Sequence, residues 1–332
     1  MRRAGSVATL TYREALTQAL REELRRDPAV FLMGEEIGVF EGSYKVTAGL
    51  YQEFGPERVL DTPIAEEGFV GAAIGAAMVG MRPVVEIMTI NFSLLALDQL
   101  VNNAAKMRYM FGGQVMVPLV IRTPAGAGQQ LAAQHSQNLE IYYAHIPGLK
   151  VVAPGTPEDA KGMLKTAIRD NNPVLFIENI GLYNTRGEVP ESDYTVPFGK
   201  AEVRRAGRDV TIVTYSRMLP LSLEAARRLE EEGIDCEVVD LRSLRPLDRE
   251  TIAASVKHTN RAVVVEEGWP SFGISAEVTA SIYELAFDYL DAPIKRVGSV
   301  EVPMPYSKPL ENLVLPNVGT ITQAVRAVMG KG

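Results

Sequence analysis

The segment LKVVAPGTPEDAKGMLKTAIRDNNPVLFIE, residues 149–178, contains a predicted strand, helix and strand in succession. Its two ends, LKVVAP and PVLFIE, are short apolar runs typical of buried strands. Between them, Thr156 is placed to cap a helix, Pro157 takes the first helical position, and Asp159 completes a capping box. This order of elements predicts two parallel strands joined by a crossover helix.

The same alternation of strand and helix extends towards the N-terminus. VVEIM (84–88) and VMVPLVIR (115–122) are further predicted strands, and SLLALDQLVNNAAKMRYMF (93–111) between them is a predicted helix. Residues 181–200 are rich in glycine, proline and polar side chains and lack apolar periodicity, which is typical of a linker. We therefore predict a mostly parallel sheet followed by a linker.

A second α/β series follows the linker. Its predicted strands are DVTIVTYS (209–216), DCEVVDL (235–241), RAVVVEEG (261–268) and IKRVG (294–298), with helices through LEAARRLEEEG (223–233) and near 248–257 and 274–289. A chain of 332 residues is long enough for two separate cores. We predict two α/β domains, residues 1–190 and 191–332.

Composition narrows the classes of function. The net charge of -7 and the lack of a long basic run argue against nucleic acid as the main partner. The apolar runs are too short to span a bilayer and no signal-peptide pattern opens the chain, so we expect no membrane association. Cys236 is the one cysteine and there are three histidines, which argues against a disulfide framework or a cysteine-based or histidine-rich metal centre. Met1 and the short lead before Thr11 favour a bacterial cytoplasm; an organelle matrix or stroma is the alternative.

The segment DTPIAEEGFVGAAIGAAMVGMRP (61–83) places Glu66 and Glu67 before a run of glycine, alanine and small apolar residues. Such a helix lets another backbone approach closely, although each internal glycine costs roughly 1 kcal/mol against alanine. Acids near a helix N-terminus are stabilised by about 0.3 to 1 kcal/mol, which explains both glutamates as capping acids. The alternative is that one of them exchanges a proton with a bound heteroaromatic ring.

Several long blocks occur in order and together carry a family resemblance: DTPIAEEGFVGAAIGAAMVGMRPVVEIM, NNAAKMRYMFGG, AAQHSQNLE, HIPGLKVVAPGTPEDAKGMLKTAIRDNNPV, GEVPE and LRSLRPLD. From about Thr11 to the C-terminus the chain resembles the beta subunits of the thiamin diphosphate-dependent 2-oxoacid dehydrogenases, most closely the pyruvate-specific ones. The resemblance implies a transketolase-like pyrimidine-binding domain followed by a transketolase C-terminal-like domain, in agreement with the two predicted α/β domains.

The resemblance implies roles for individual residues. Glu66, in the DTPIxE block, is implied to share a proton with the aminopyrimidine of thiamin diphosphate, whereas Glu67 does not match the motif. Met88 and Phe92 are implied to lie against the pyrimidine ring, with ordinary core packing as the alternative. His135 is implied to handle protons or orient the acyl intermediate during transfer to lipoamide. Its glycine-rich and polar flanks indicate a loop.

A structural potassium ion is also implied, at the end of the helix that starts after Thr156. Its ligands in the family correspond to oxygens of Leu119, Ala167, Ile168, Asp170 and Asn172. The last carbonyls of a helix lack intrahelical partners and carry partial negative charge, so a cation fits there. Ordinary capping by asparagine and water is the alternative.

Half of a thiamin site is missing from the sequence. No glycine-aspartate-glycine turn for a magnesium-bound diphosphate occurs, nor a P-loop. The resemblance therefore implies an alpha subunit that holds the diphosphate and Mg²⁺, in an α2β2 heterotetramer with the cofactor at the interface. It also implies that the C-terminal domain docks on the dihydrolipoyl acetyltransferase core.

The implied function is oxidative decarboxylation of pyruvate with reductive acetylation of lipoyl groups, which gives acetyl-CoA in the full complex. Phe92 and SYKVT (43–47) favour the pyruvate type. Three alternatives stay open: the beta subunit of a branched-chain 2-oxoacid dehydrogenase, that of an acetoin dehydrogenase, and a non-catalytic scaffold subunit. A methylene or two is worth only about 1 to 3 kcal/mol to an apolar pocket, so one aromatic position decides little.

Overall fold

The fold is that of a computed structural model, which describes residues 6–330. The described chain divides into two compact units. The first contains the residues up to Ala125 together with Tyr142–Phe198, and the second contains Gly126–Ile141 together with the residues from Gly199 onward. Gly126–Ile141 thus belongs to the second unit although it interrupts the first in sequence. No helix within residues 6–330 has the length and apolar character needed to cross a membrane.

The first unit is built on parallel strands. Its elements are β1 (Val7–Thr11), α1 (Tyr12–Arg26), β2 (Val30–Gly34), α2 (Leu50–Phe54), β3 (Val59–Asp61), α3 (Glu66–Met78), β4 (Arg82–Glu86), α4 (Met107–Met110), β5 (Val120–Ala125), α5 (Glu140–Ala144, at the junction of the two units), β6 (Lys150–Val152), α6 (Pro157–Arg169), β7 (Val174–Asn179) and β8 (Arg186–Pro190). Six strands run parallel in the order β6-β7-β5-β4-β2-β3, and β1 pairs antiparallel with β8. Helices α1 and α6 pack together over a core that includes Leu16, Leu20, Leu164 and Phe176.

The second unit has its own sheet and core. Its elements are β9 (Glu202–Arg205), β10 (Val210–Thr214), α7 (Met218–Glu230), β11 (Cys236–Asp240), β12 (Ser243–Arg245), α8 (Arg249–Thr259), β13 (Ala262–Val265), α9 (Ile274–Ala286), β14 (Lys295–Val297), α10 (Lys308–Val314) and α11 (Val318–Val328). Five strands follow the order β14-β13-β10-β11-β9, all parallel except β9. The core of this unit includes Ile212, Leu229, Val238 and Val325.

The strand-helix-strand prediction for residues 149–178 is confirmed by β6, α6 and β7, in which β6 and β7 pair in parallel with Val151 opposite Leu175. The hydroxyl of Thr156 accepts a hydrogen bond from the backbone N–H of Asp159 at 3.1 Å. The same hydroxyl donates to the Asp159 carboxylate at 2.9 Å. The cap therefore forms at the predicted residue.

Two local predictions are wrong. Residues 93–111 do not form one α-helix: a 3-10 helix covers Phe92–Ala96, a π-helix covers Gln99–Ala104, and α4 follows. Asparagine disfavours helix interiors because its side chain competes for backbone groups, and Asn102 and Asn103 both lie in the π-helix. Part of the predicted linker is strand β8, whose partner β1 lies far away in sequence and leaves no local signal.

Candidate cofactor-binding site

Glu66 and Glu67 open helix α3 but differ in environment. Glu66 is the first helical residue and only 4% of it is exposed, whereas Glu67 is exposed. The preceding residue, Ala65, provides no side-chain cap. Glu67 therefore behaves as a solvated acid in the first turn, as the sequence indicated, while Glu66 is a carboxyl group buried at a helix N-terminus, where exposed amides favour negative charge.

A second carboxyl group lies near Glu66. Glu35 directly follows β2, is 6% exposed, and its Oε1 has no hydrogen-bond partner within residues 6–330. Burial, and after it the negative charge of Glu66, raises the pKa of Glu35 to about 7. Sequence reasoning missed Glu35. The available signal was its position at the carboxyl end of a parallel strand, where ligands bind in α/β sheets.

The raised pKa of Glu35 makes stability depend on pH. In the unfolded chain this carboxyl titrates near 4.5, so between about pH 4.5 and 7 the folded state retains a proton that the unfolded state has lost. Stability therefore falls as pH rises through that window. We expect Glu35→Gln to gain thermal stability relative to the wild type between pH 5 and pH 8, measured as the difference in Tm at each pH.

The matched control for this experiment is Glu36→Gln, since Glu36 is the exposed neighbour of Glu35. Its Tm difference from the wild type should stay constant over the same pH range. A difference for Glu35→Gln that is equally constant would contradict a raised pKa at Glu35.

Met88 and Phe92 lie just beyond β4. Both are partly buried, and Phe92 begins the 3-10 helix Phe92–Ala96. That 3-10 helix packs against α3, the helix that carries Glu66. The fold therefore brings the 3-10 helix that Phe92 begins into contact with the helix that Glu66 begins. A ring-binding pocket needs apolar side chains and a few polar groups, and these two elements carry both.

The small residues of α3 serve close packing on part of its surface. A Cβ added at Gly71 would lie 3.3 Å from the side-chain oxygen of Gln99, in the π-helix. At Gly75, and at Gly80 just beyond the helix, an added Cβ would meet no atom within 4 Å. The close contact at Gly71 is thus made by a side chain of this chain, while Gly75 and Gly80 border open space.

A buried cluster of ion pairs links three strands of the sheet, among them β4, which precedes Met88 and Phe92. Arg122 on β5 donates through Nε to Glu178 on β7 at 2.6 Å and through Nη1 to Glu86 on β4 at 2.7 Å. The hydroxyl of Tyr183 donates to the second oxygen of Glu178 at 2.7 Å. Burial opposes the charge on Arg122, but Glu178 and Glu86 outweigh it and raise the pKa of Arg122. The cluster links β4, β5 and β7, and its member Glu86 lies two residues before Met88.

His135 lies in the second unit, on a segment between Gly126 and Leu139 that has neither helix nor strand. The predicted loop is thus confirmed. His135 is partly buried, and its backbone N–H lies 3.4 Å from the carbonyl of Ala132. Just after this loop, Glu140 accepts a hydrogen bond from the hydroxyl of Tyr215 at 2.8 Å. Burial raises the pKa of Glu140 to about 7.

The five residues implied as potassium ligands gather at one end of the first unit. Ala167 and Ile168 are in the last turn of α6, Asp170 and Asn172 follow it, and the carbonyl of Leu119 accepts from Val174 N at 2.9 Å. Carbonyl and amide oxygens are donors that suit potassium.

Three cationic side chains already bind this oxygen set. Arg82 donates to the carbonyls of Ile168 at 2.9 Å and Asp170 at 3.1 Å. Arg108 donates to the side-chain oxygen of Asn172 at 2.6 Å, and Lys150 donates to the Asp170 carboxylate. These oxygens are suitable ligands for a cation. The side chains of Arg82, Arg108 and Lys150 already bind some of them.

Comparison with known proteins extends over almost the whole chain. Residues 8–185 match the family "Transketolase, pyrimidine binding domain" and residues 199–321 match "Transketolase, C-terminal domain". "Pyruvate dehydrogenase E1 component subunit beta" of Rickettsia felis is 53% identical, over 96% of this chain and 98% of the relative. This chain belongs to the pyruvate dehydrogenase E1 beta-subunit family. The family expected from the sequence is therefore confirmed.

Other members of the beta-subunit family come from bacteria and from plant mitochondria. The protein of that name from Rhizobium meliloti is 52% identical over 98% of this chain and 71% of the relative. "Pyruvate dehydrogenase E1 component subunit beta-2, mitochondrial" from Oryza sativa is 53% identical over 98% of this chain and 88% of the relative. The solved structure "Split gene transketolase, inactive beta4 tetramer" superposes with a TM-score of 0.78 at 25% identity, covering 97% of this chain and 98% of that one. The predicted transketolase-like α/β fold is confirmed.

Proposed function

We propose that this chain is the beta subunit of a pyruvate dehydrogenase and supplies the pyrimidine-side half of a thiamin diphosphate site. The observation that carries the proposal is Glu66: a carboxyl group buried at the start of α3, in a chain whose curated relatives are beta subunits of this enzyme. Thiamin diphosphate, when bound, supplies the nucleophilic carbon for decarboxylation of a 2-oxoacid. The residues of this chain bind the pyrimidine end and control its protonation.

Glu66 is proposed to exchange a proton with the ring nitrogen of the aminopyrimidine, as a general acid and base. Its burial limits exchange of that proton with bulk water. The buried carboxyl of Glu35 lies close enough for the charge of Glu66 to raise the pKa of Glu35. Met88 and Phe92 are proposed to exclude water from the ring, since an apolar wall strengthens every electrostatic contact within the site.

His135 is proposed to act in the second half of the reaction, acyl transfer to a lipoyl group, by moving a proton or orienting the acyl group. We further propose that residues 1–190 form the pyrimidine-binding domain and residues 191–332 the C-terminal domain. The family matches over 8–185 and 199–321 support this division. The compact units differ from it at two places, because residues 191–198 group with the first unit and Gly126–Ile141 groups with the second.

The proposed partners follow from what the chain lacks. An alpha subunit would hold the diphosphate and Mg²⁺, in an α2β2 heterotetramer, and the open glycine surface of α3 supports close contact with another chain. The C-terminal domain is proposed to dock on the dihydrolipoyl acetyltransferase core. A bacterial cytoplasm is the proposed compartment, with an organelle matrix or stroma as the alternative because mitochondrial relatives are equally similar.

The test of the proposed function is substrate oxidation by this chain mixed with its cognate alpha subunit, thiamin diphosphate and Mg²⁺, followed as reduction of an artificial electron acceptor. Pyruvate, 3-methyl-2-oxobutanoate and acetoin are compared as substrates. A preference for pyruvate, with neither subunit active alone, supports the proposal. Preference for the branched acid or for acetoin would show that the assignment of pyruvate as substrate is wrong. Activity of this chain alone would show that the thiamin site is not divided between two subunits.

Potassium is proposed to bind at the end of α6, on oxygens of Leu119, Ala167, Ile168, Asp170 and Asn172. Replacing K⁺ by choline at equal ionic strength is expected to lower the Tm of the protein by a few degrees, since a ligand that binds the folded state stabilises it. Asp170→Ala should remove the potassium dependence, and the exposed control Glu67→Ala should preserve it. Equal Tm values in K⁺ and choline would mean that Arg82, Lys150 and Arg108 satisfy these oxygens by themselves.

A further inference from the structure

The loop between Gly126 and Leu139 has no regular secondary structure to fix its conformation. Several of its residues nevertheless adopt left-handed backbone angles, with φ of +103° at Gly128, +58° at Gln130 and +62° at Ala132. Such angles are costly for residues that carry a Cβ, and they persist where surrounding contacts impose them. Contacts from outside the loop must therefore hold the backbone that leads to His135.

Glu311 provides the central contact. It lies on α10, is completely buried, and its Oε1 accepts from the backbone N–H of Gly128 at 2.8 Å and of Gln130 at 3.1 Å. Lys308 donates to Oε2 of Glu311 at 2.9 Å and to the carbonyl of Gly128 at 2.7 Å. One acid-base pair, the Glu311–Lys308 clamp, thus binds both the N–H and the carbonyl of Gly128.

A second acid-base pair repeats this arrangement one residue earlier. Oε1 of Glu267 accepts from the backbone N–H of Ala127 at 2.9 Å, and Arg217 donates to the carbonyl of Ala127 at 2.7 Å and to Glu267 at 3.0 Å. Two consecutive loop residues are therefore each held on both sides by ionised side chains. Hydrogen bonds to ionised groups are roughly twice as strong as those between neutral groups, so the start of the loop is firmly fixed.

Glu311 remains ionised at neutral pH. Burial opposes the charge on Glu311, but hydrogen bonds from Lys308, Gln130 and Gly128 outweigh burial and lower the pKa of Glu311. Glu311 follows the loop by about 180 residues in sequence, so the contact arises from the fold of the second unit.

We propose that Glu311, held by Lys308, is a positioning residue for acyl transfer: it fixes the backbone of the loop so that His135 is presented to the acyl group and the lipoyl acceptor. This proposal rests on the proposed role of His135. Glu311 touches neither substrate nor cofactor in this role, and acts through the loop.

The test uses the enzyme assembled with its alpha subunit, in four versions: wild type, Glu311→Ala, Glu311→Gln and Lys308→Met. Asn312→Ala, at the exposed next position of α10, is the matched control. Hydrogen exchange is followed at the amides of Gly128 and Gln130. We expect exchange about tenfold faster or more in Glu311→Ala and no change in the control.

Two rates are then measured separately: pyruvate decarboxylation with an artificial electron acceptor, and reductive acetylation of a lipoyl domain. In Glu311→Ala, kcat for acetylation is expected to fall about tenfold or more, with decarboxylation and the KM for pyruvate unchanged. Glu311→Gln should recover part of the acetylation rate, because its amide oxygen still accepts from both N–H groups while its NH2 group cannot accept from Lys308. Lys308→Met leaves Glu311 in place, and its kcat for acetylation should lie between those of Glu311→Ala and Glu311→Gln.

If hydrogen exchange at Gly128 and Gln130 is unchanged in Glu311→Ala, Glu311 does not hold the loop and the proposal is wrong. An equal fall in both rates would also overturn it, because general destabilisation would then explain the loss. A His135→Ala enzyme measured in parallel separates the two proposals: if acetylation is unaffected by that change, the role of His135 is wrong, whereas the exchange data still report whether Glu311 holds the loop.

Discussion

Replacing Glu66 with alanine is expected to lower the rate of pyruvate decarboxylation by about a hundredfold or more, with assembly intact. Glu66 is the buried acid at the start of α3, and its proposed proton exchange with the aminopyrimidine has no substitute in an alanine side chain. Glu66 is not the N-cap of α3, which is Ala65, so the change removes no capping side chain and the helix should survive it. The measurements are decarboxylation with the alpha subunit and the elution volume of the assembled enzyme.

Glu67→Ala is the matched control, because it removes the same side chain from the next position of the same helical turn, where the side chain is exposed. Its decarboxylation rate should stay within about a factor of two of the wild type. If Glu66→Ala keeps both assembly and turnover, the chain is a scaffold subunit. If Glu66→Ala prevents assembly, the residue acts in the interface and the catalytic role is not supported.

The fold of each unit was predictable because its strands and helices are specified locally. The pairing of β6 with β7 follows from an apolar run, a capped helix and a second apolar run within 30 residues. Strand β8 was not predictable in this way, since Gly187 and Pro190 are poor strand formers and β1, which pairs with it, is near the other end of the first unit. Edge strands tolerate such residues, and only the fold identifies them.

Some residues of the candidate site were also predictable from the sequence, and others were identified only by the fold. Glu66 and His135 stood in sequence blocks that resemble a family, whereas Glu35 and Glu311 owe their importance to neighbours distant in sequence. Glu35 becomes notable only when β2 and α3 bring it near Glu66, and Glu311 only when α10 reaches the loop before His135. Sequence patterns therefore could not identify Glu35 or Glu311, because the contacts that give them a role form only in the folded chain.

Replacing Arg122 with methionine is expected to destabilise the protein by about 3 to 5 kcal/mol, because it leaves two buried carboxylates, Glu86 and Glu178, without their counter-ion. Methionine approximates the volume of the arginine stem, so the loss measures charge more than packing. The free energy of unfolding from urea titration gives the effect directly. Arg108→Met is the control: Arg108 is exposed and bonds Asn172, and its replacement should cost within about 0.5 kcal/mol.

A triple variant, Arg122→Met with Glu86→Gln and Glu178→Gln, separates the unpaired charge from the loss of the cluster. Neutral amides leave no unpaired charge, and Tyr183 can still donate to the amide oxygen at position 178, so the triple variant should recover a large part of the stability lost in Arg122→Met. If the triple variant is as unstable as Arg122→Met alone, the packing of the arginine stem determines stability. A loss below about 1 kcal/mol in Arg122→Met would mean that water reaches Glu86 and Glu178, and that β4, β5 and β7 hold the segment leading to Met88 without this ion cluster.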